Sequence, residues 1–153
     1  MAGRHPFIEI IKELIQVQGD RITLYYNALA TVLRPDRKDL KAIFGEMIRQ
    51  SMHFQQELKD SISGFNGKMN GQEKEYKGAI YEVWESAKVD IRGDNSKSIL
   101  EACEEECEAV QQAYQAALSF SDPIEPVIQR LLQTQQITLK NIQDQIREYH
   151  DAL

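Results

Sequence analysis

The sequence predicts an all-α fold: four long helices in a bundle, with a shorter crossover helix between the second and third. Three observations carry that reading. Apolar residues recur at intervals of three and four along most of the chain. No stretch alternates with period two over a strand's length. The pattern breaks at runs rich in turn formers, namely Arg34-Pro35, Gly64 to Gly71, Arg92 to Asn95 and Ser121 to Pro123.

The first helix is read from Pro6 to Leu33, with Ile8, Ile11, Ile15, Ile22, Tyr26, Leu29 and Leu33 as its apolar stripe. Asp36 can cap a second helix striped by Leu40, Phe44, Met47, Ile48, Ser51, Phe54, Leu58 and Ile62, which stops at Gly64. The short link makes these two antiparallel neighbours. The crossover helix spans about Gln72 to Ile91. Its aromatics Tyr76, Tyr81 and Trp84 are expected to fasten it to the bundle's side or to a second subunit.

Asn95 or Ser96 can cap the next helix, which runs to about Phe120. Along it Leu100, Cys103, Cys107, Val110, Tyr114, Ala117 and Leu118 fall on one face, and Glu101, Glu105, Glu108 and Gln112 on the other. Ser121 or Asp122 caps the last helix, with Ile124, Val127, Leu131, Leu139, Ile142, Ile146 and Tyr149 as its stripe. A long connection holding a short helix, placed between the second and third long helices, is a crossover of the kind ferritin-like bundles contain.

With 153 residues, the chain can bury a sizeable core as one domain, 1–153. Its 42 % hydrophobic and 27 % charged residues are those of a soluble globular protein. The N-terminus lacks the apolar run of a signal peptide, and no apolar run could span a bilayer, so the expected setting is the cytoplasm. A net charge of −6, with the 18 Lys and Arg scattered, argues against nucleic acid and an anionic membrane as partners. Cys103 and Cys107 are i,i+4 neighbours on one helix, a spacing that suits reduced thiols better than a disulfide.

Gly19-Asp20-Arg21-Ile22 with Tyr25 and Ala28, Gln50-Ser51 with Phe54, Glu57 and Leu58, Gly78, Tyr81, Trp84 and Lys88, and Ile99-Leu100-Glu101 with Cys103-Glu104, Tyr114 and Ala117-Leu118 stand in order along the chain. In these motifs the chain resembles a bacterial family of ferritin-like four-helix bundles catalogued as a domain of unknown function. The resemblance covers nearly the whole length. It implies the bundle fold and a setting in bacterial stress physiology. Where that family commonly reads Gly-Glu-Asp, this chain has Glu106-Cys107-Glu108, which puts a thiol at the inward position expected to be a carboxylate. Where His-Asp is expected it has Gln143-Asp144.

A di-iron centre in such a bundle needs inward carboxylates with Glu-x-x-His pairs, and no Glu-x-x-His occurs in the sequence. The polar residues inside the stripes are Gln18, Ser51, Gln55, Cys103, Cys107, Gln135 and Thr138, all uncharged. The expected function is therefore non-enzymatic: a structural or interaction module without cofactor, with a second copy of the chain or an unidentified protein as partner. The competing reading is a metalloprotein. It holds either iron, on a degenerate carboxylate site around Asp20, Glu57 and Glu104, or a soft metal on the Cys103 and Cys107 thiols. Glu101, Glu104, Glu105, Glu106 and Glu108 read as a solvated helix face, and Tyr76, Tyr81 and Trp84 as the first choice for a self-association surface. His5, His53 and His150 have no catalytic partner in their sequence context.

Overall fold

The computed structural model of the chain describes residues 6–31, 38–65, 78–91, 95–120 and 124–153. These form five helices, α1 (Pro6–Thr31), α2 (Lys38–Ser63), α3 (Ala79–Ala87), α4 (Ser96–Leu118) and α5 (Pro126–Asp151), with no strand among the described residues. Asn95 caps α4 as expected, its side-chain oxygen accepting from the Ser98 amide at 2.9 Å. The proposed cap Asp36 lies outside the described residues, and neither Ser121 nor Asp122 caps the last helix, because its N-cap is Glu125, which makes no side-chain capping bond. α5 starts at Pro126, with the proline in the first turn where its missing N–H leaves no bond unmade. α3 ends at Ala87, so Lys88 to Ile91 are not helical as read from periodicity, although Ile91 is buried.

Side-chain pairings give each long helix its direction. Phe7 packs edge-on against Phe65 with ring centroids 5.2 Å apart, Gln55 donates to the Ile15 carbonyl at 3.1 Å, and Tyr25 lies 5.9 Å from Phe44. As residue number rises on α1 it falls on α2, so the two are antiparallel. α1 is antiparallel to α4 as well, since Gln18 meets Tyr114 and Arg21 meets Glu106. On α4 and α5, Glu104 pairs with Arg147, Glu108 with Gln143, and Tyr114 with Gln135, which makes this pair antiparallel too. Consequently α2 and α4 run the same way, and the connection between them returns the length of the molecule. α3 lies in that connection and packs on α4 and α1.

The interior separates into two apolar clusters. One joins the first half of α1 to the second halves of α2 and α4, the first half of α5 and α3, and includes Leu14, Leu58, Trp84, Val110 and Leu132. The other joins the opposite ends of the same long helices through Tyr25, Phe44, Leu100, Cys103 and Ile146. Between them lie the buried polar residues Gln18, Arg21, Ser51, Glu106 and Gln135.

Two predicted stripes are rotated from the true core. On α1 the buried seam passes through Phe7, Leu14, Arg21 and Ala28 with Ile11, Gln18 and Tyr25, whereas Tyr26, predicted inside, is 55 % exposed. Because the seam is polar at Gln18 and Arg21, a count of apolar residues slides one position around the helix. On α5 the buried residues are Ile128, Leu132, Gln135, Leu139, Gln143 and Ile146, and Val127 and Tyr149 are exposed for the same reason. Trp84 and Tyr81 are buried against the bundle, fastening α3 to it, so they leave no aromatic surface there for self-association; Tyr76 lies outside the described residues.

Candidate functional site

The polar layer between the clusters is centred on an ion pair with no solvent exposure. Arg21 Nε donates to Glu106 Oε2 at 2.6 Å and Nη2 to Oε1 at 3.0 Å, a two-pronged match of planar guanidinium to carboxylate. The Tyr25 hydroxyl also donates to Glu106 Oε1. Among the described residues Glu106 is the only buried acid and Arg21 the only buried base, so the layer carries one charge of each sign. Burial alone would lower the Arg21 pKa, but the charge and hydrogen bonds of Glu106 outweigh it and raise it further, locking the guanidinium in its charged form. Burial, followed by the Glu106 charge, pushes the Tyr25 phenol well up, so it stays a donor.

From Arg21 a chain of hydrogen bonds crosses to α5 and returns to α2. Arg21 Nη1 donates to Gln18 Oε1 at 3.2 Å, Gln18 Nε2 to the Tyr114 hydroxyl at 2.9 Å, and that hydroxyl to Gln135 Oε1 at 2.5 Å. Gln135 Nε2 then donates to the Phe54 carbonyl at 3.3 Å and to Glu57 Oε1 at 3.1 Å. Every donor points the same way, from a cation at the centre to a half-exposed carboxylate, so each bond polarises the next. The chain touches all four long helices and fixes their relative register. In the same layer Ser51 Oγ has no hydrogen-bond partner among the described residues.

Of the residues singled out as metal ligands, Asp20, Glu57 and Glu104 are not brought together. Asp20 faces α3, accepting from the Tyr81 hydroxyl and from Trp84 Nε1 at 3.3 Å. Glu57 ends the relay from Gln135, and its other oxygen lies 3.6 Å from His53 Nε2. Glu104 pairs with Arg147 at 2.9 Å on the α4–α5 surface. Cys103 and Cys107 are unbridged and buried in the second apolar cluster; burial first, then the Glu106 charge, raises both thiol pKa values. Thiolates, the form that binds soft metals, are therefore disfavoured. Among the described residues no three His, Cys, Asp or Glu side chains converge on a point where they could hold a metal ion.

Sequence reasoning missed the two central charges. Glu106 is not part of the solvated acidic face; it points inward beside Cys107, so a carboxylate does occupy the interior of α4. Adjacent residues can both be buried there because α4 is flanked by α1, α3 and α5, and its buried arc exceeds the ~100° between neighbours. A signal was present. Glu106 stands in a seven-residue series with Ile99 and Ala113, and Arg21 in one with Phe7, Leu14 and Ala28, each otherwise apolar. Gln143 is likewise buried, bonding to Gln111 and to Glu108 at 3.3 Å.

A second polar cluster positions α3. Glu13 of α1 accepts the backbone amides of Gly78 at 2.8 Å and Tyr81 at 3.0 Å, which caps α3 from another helix. A Cβ at Gly78 would lie 2.7 Å from the Glu13 carboxylate, so a larger residue there must shift that side chain.

No helix among the described residues is long and apolar enough to cross a membrane. No curated protein and no solved structure shows a significant match to the chain. The model of the domain of unknown function DUF2383 matches residues 7–119, from the start of α1 to just past the end of α4, and so takes in Arg21, Tyr25 and Glu106 but not Gln135. With most of its length matched, the chain belongs to the DUF2383 family.

Proposed function

We propose that this chain is a ferritin-like four-helix bundle with α3 as its crossover, that it performs no chemistry of its own, and that it serves as a structural or interaction module. The shared direction of α2 and α4 supports the ferritin-like connectivity, since a link between parallel helices must span the bundle. The bacterial, cytoplasmic and stress-related setting implied by the resemblance belongs to the same proposal.

The observation that carries the reading is the bidentate Arg21–Glu106 pair. A carboxylate bundle that holds metal presents several inward acids to a cation; here the one buried acid among the described residues has both oxygens engaged by a fixed guanidinium. The residues present do not fit a di-iron centre, because a metal ion beside Glu106 would be repelled by Arg21 and would lack further carboxylates. The positive charge of the side chain takes the part of the ion in tying the helices together.

Elemental analysis of protein purified without chelator tests this. Fe, Mn, Zn and Cu far below one atom per chain are expected. Stoichiometric metal that survives gel filtration would overturn the proposal and favour the competing metalloprotein.

A further inference from the structure

A serine inside a helix ordinarily satisfies its hydroxyl by bonding back to a carbonyl about one turn earlier. Ser61 and Ser63 of α2 do so, donating to the Leu58 and Asp60 carbonyls at 2.7 and 2.9 Å. Ser51 does not. Its hydroxyl is fully enclosed and bonds neither to its own helix nor to any other described residue. Ser51 stands on the inward seam of α2 between Met47 and Phe54, so a hydroxyl that leaves its own carbonyls is turned into the bundle. An enclosed hydroxyl without a partner has given up its hydration for nothing, which an alanine would not have done. Gln50 Oε1 is also unpartnered, but Gln50 is only partly buried and its amide can turn to solvent.

A second shortfall lies beside Ser51. The Arg21 guanidinium carries five N–H hydrogens. Nε and one hydrogen of Nη2 go to Glu106, the other hydrogen of Nη2 to Met47 Sδ at 3.9 Å, and one of Nη1 to Gln18 Oε1. The second hydrogen of Nη1 has no acceptor among the described residues, and Gln18 Oε1 has a lone pair to spare. The register of the α1–α2 hairpin brings these groups to one level. Tyr25 lies opposite Phe44, Arg21 reaches Met47 and Gln55 reaches Ile15, so Ser51, one turn past Met47, comes level with Gln18. A hydroxyl, an N–H and an amide oxygen with unused capacity thus share the central layer.

Charge says what joins them. Arg21 and Glu106 neutralise each other, so a cation added to the layer would be repelled by the guanidinium and an anion by the carboxylate. The ligand that fits is small and neutral and has both lone pairs and hydrogens to offer. That is water, which in protein interiors typically makes about three bonds to polar groups otherwise left unsatisfied.

We propose that the centre of the bundle binds one water, which accepts from Arg21 Nη1 and Ser51 Oγ and donates to Gln18 Oε1. It ties the middle of α2 to the ion pair of α1 and α4, and it gives a serine in an otherwise apolar seam a physical reason. A high-resolution crystal structure of the wild type should show a water at about 2.7–3.2 Å from all three atoms. Ser51→Ala should lower the urea midpoint by about 0.2–0.5 M, even though alanine is the better helix former, because the water loses a partner. Without the water the same substitution only removes an unsatisfied hydroxyl, and the midpoint rises. Absence of density between the three atoms, a Ser51 hydroxyl bonded to a protein carbonyl, or a midpoint at or above that of wild type would each overturn the proposal and leave the preceding section untouched. A metal ion at the site, identified by its anomalous scattering, would overturn both.

Discussion

Replacing Arg21 by Met should unfold much of what the buried layer holds together. The side chain is fully enclosed, so its loss leaves Glu106 as an enclosed carboxylate with Tyr25 as its remaining hydroxyl donor; the Gln18 oxygen also loses a 3.2 Å bond. Breaking a buried pair from one side costs about 3–5 kcal/mol, a large share of the ~5–15 kcal/mol that holds a domain folded. Glu106→Leu strands the guanidinium and should cost a similar amount. Arg21→Met/Glu106→Leu removes both charges, and its expected cost is only about 1–2 kcal/mol, chiefly for the Tyr25 hydroxyl left without an acceptor. Urea titration followed by circular dichroism reads this directly. At ~2 kcal/mol per molar urea, each single variant should lower the midpoint by about 1.5–2.5 M and the double variant by under ~1 M. The two sites would then be coupled by more than ~3 kcal/mol. The reasoning fails if either single variant stays within about 1 kcal/mol of wild type, or if the double variant loses the sum of both.

Gly78→Ala should push the Glu13 carboxylate aside and unmake its two backbone bonds, costing about 1–2 kcal/mol. Hydrogen exchange should show faster amides in α3 alone, and exchange rates like those of wild type would refute the role of Glu13. Native Cys103 and Cys107, buried and held protonated, should react with a disulfide reagent only as fast as the chain opens, and immediately in denaturant; rapid native reaction would place them at the surface. Hydrogen bonds to Glu101 and Asp151 raise the His150 pKa above its ordinary 6.5. Its contribution to stability is then complete below ~6.5 and fades as pH rises through the higher folded value. A proton NMR titration giving 6.5 or lower would contradict that geometry.

The directions of the long helices follow from which of them can be neighbours. The link between α1 and α2 is too short to return the length of the molecule, so those helices had to be antiparallel, and this was legible. Periodicity could not show that α2 and α4 share a direction; the pairings of Gln18 with Tyr114 and Arg21 with Glu106 decide it. The core face was read well for the apolar residues and thiols of α4, though Glu106 beside them was placed on the solvent side. The core faces were misread on α1 and α5, where Gln18, Arg21, Gln135 and Gln143 occupy inward positions.

By itself the sequence determined that the chain is helical, where most helices begin and end, and that Cys103, Cys107, Val110 and Tyr114 face inward, because those properties follow from spacing and capping along one segment. Only the tertiary structure decided what the polar interior does. A charged residue in an apolar series reads as an interruption until its partner is known, and Arg21 and Glu106 lie 85 residues apart. Enclosed singly, either charge would be expelled or neutralised. Brought together by the packing of α1 on α4, they can remain charged in the middle of the protein.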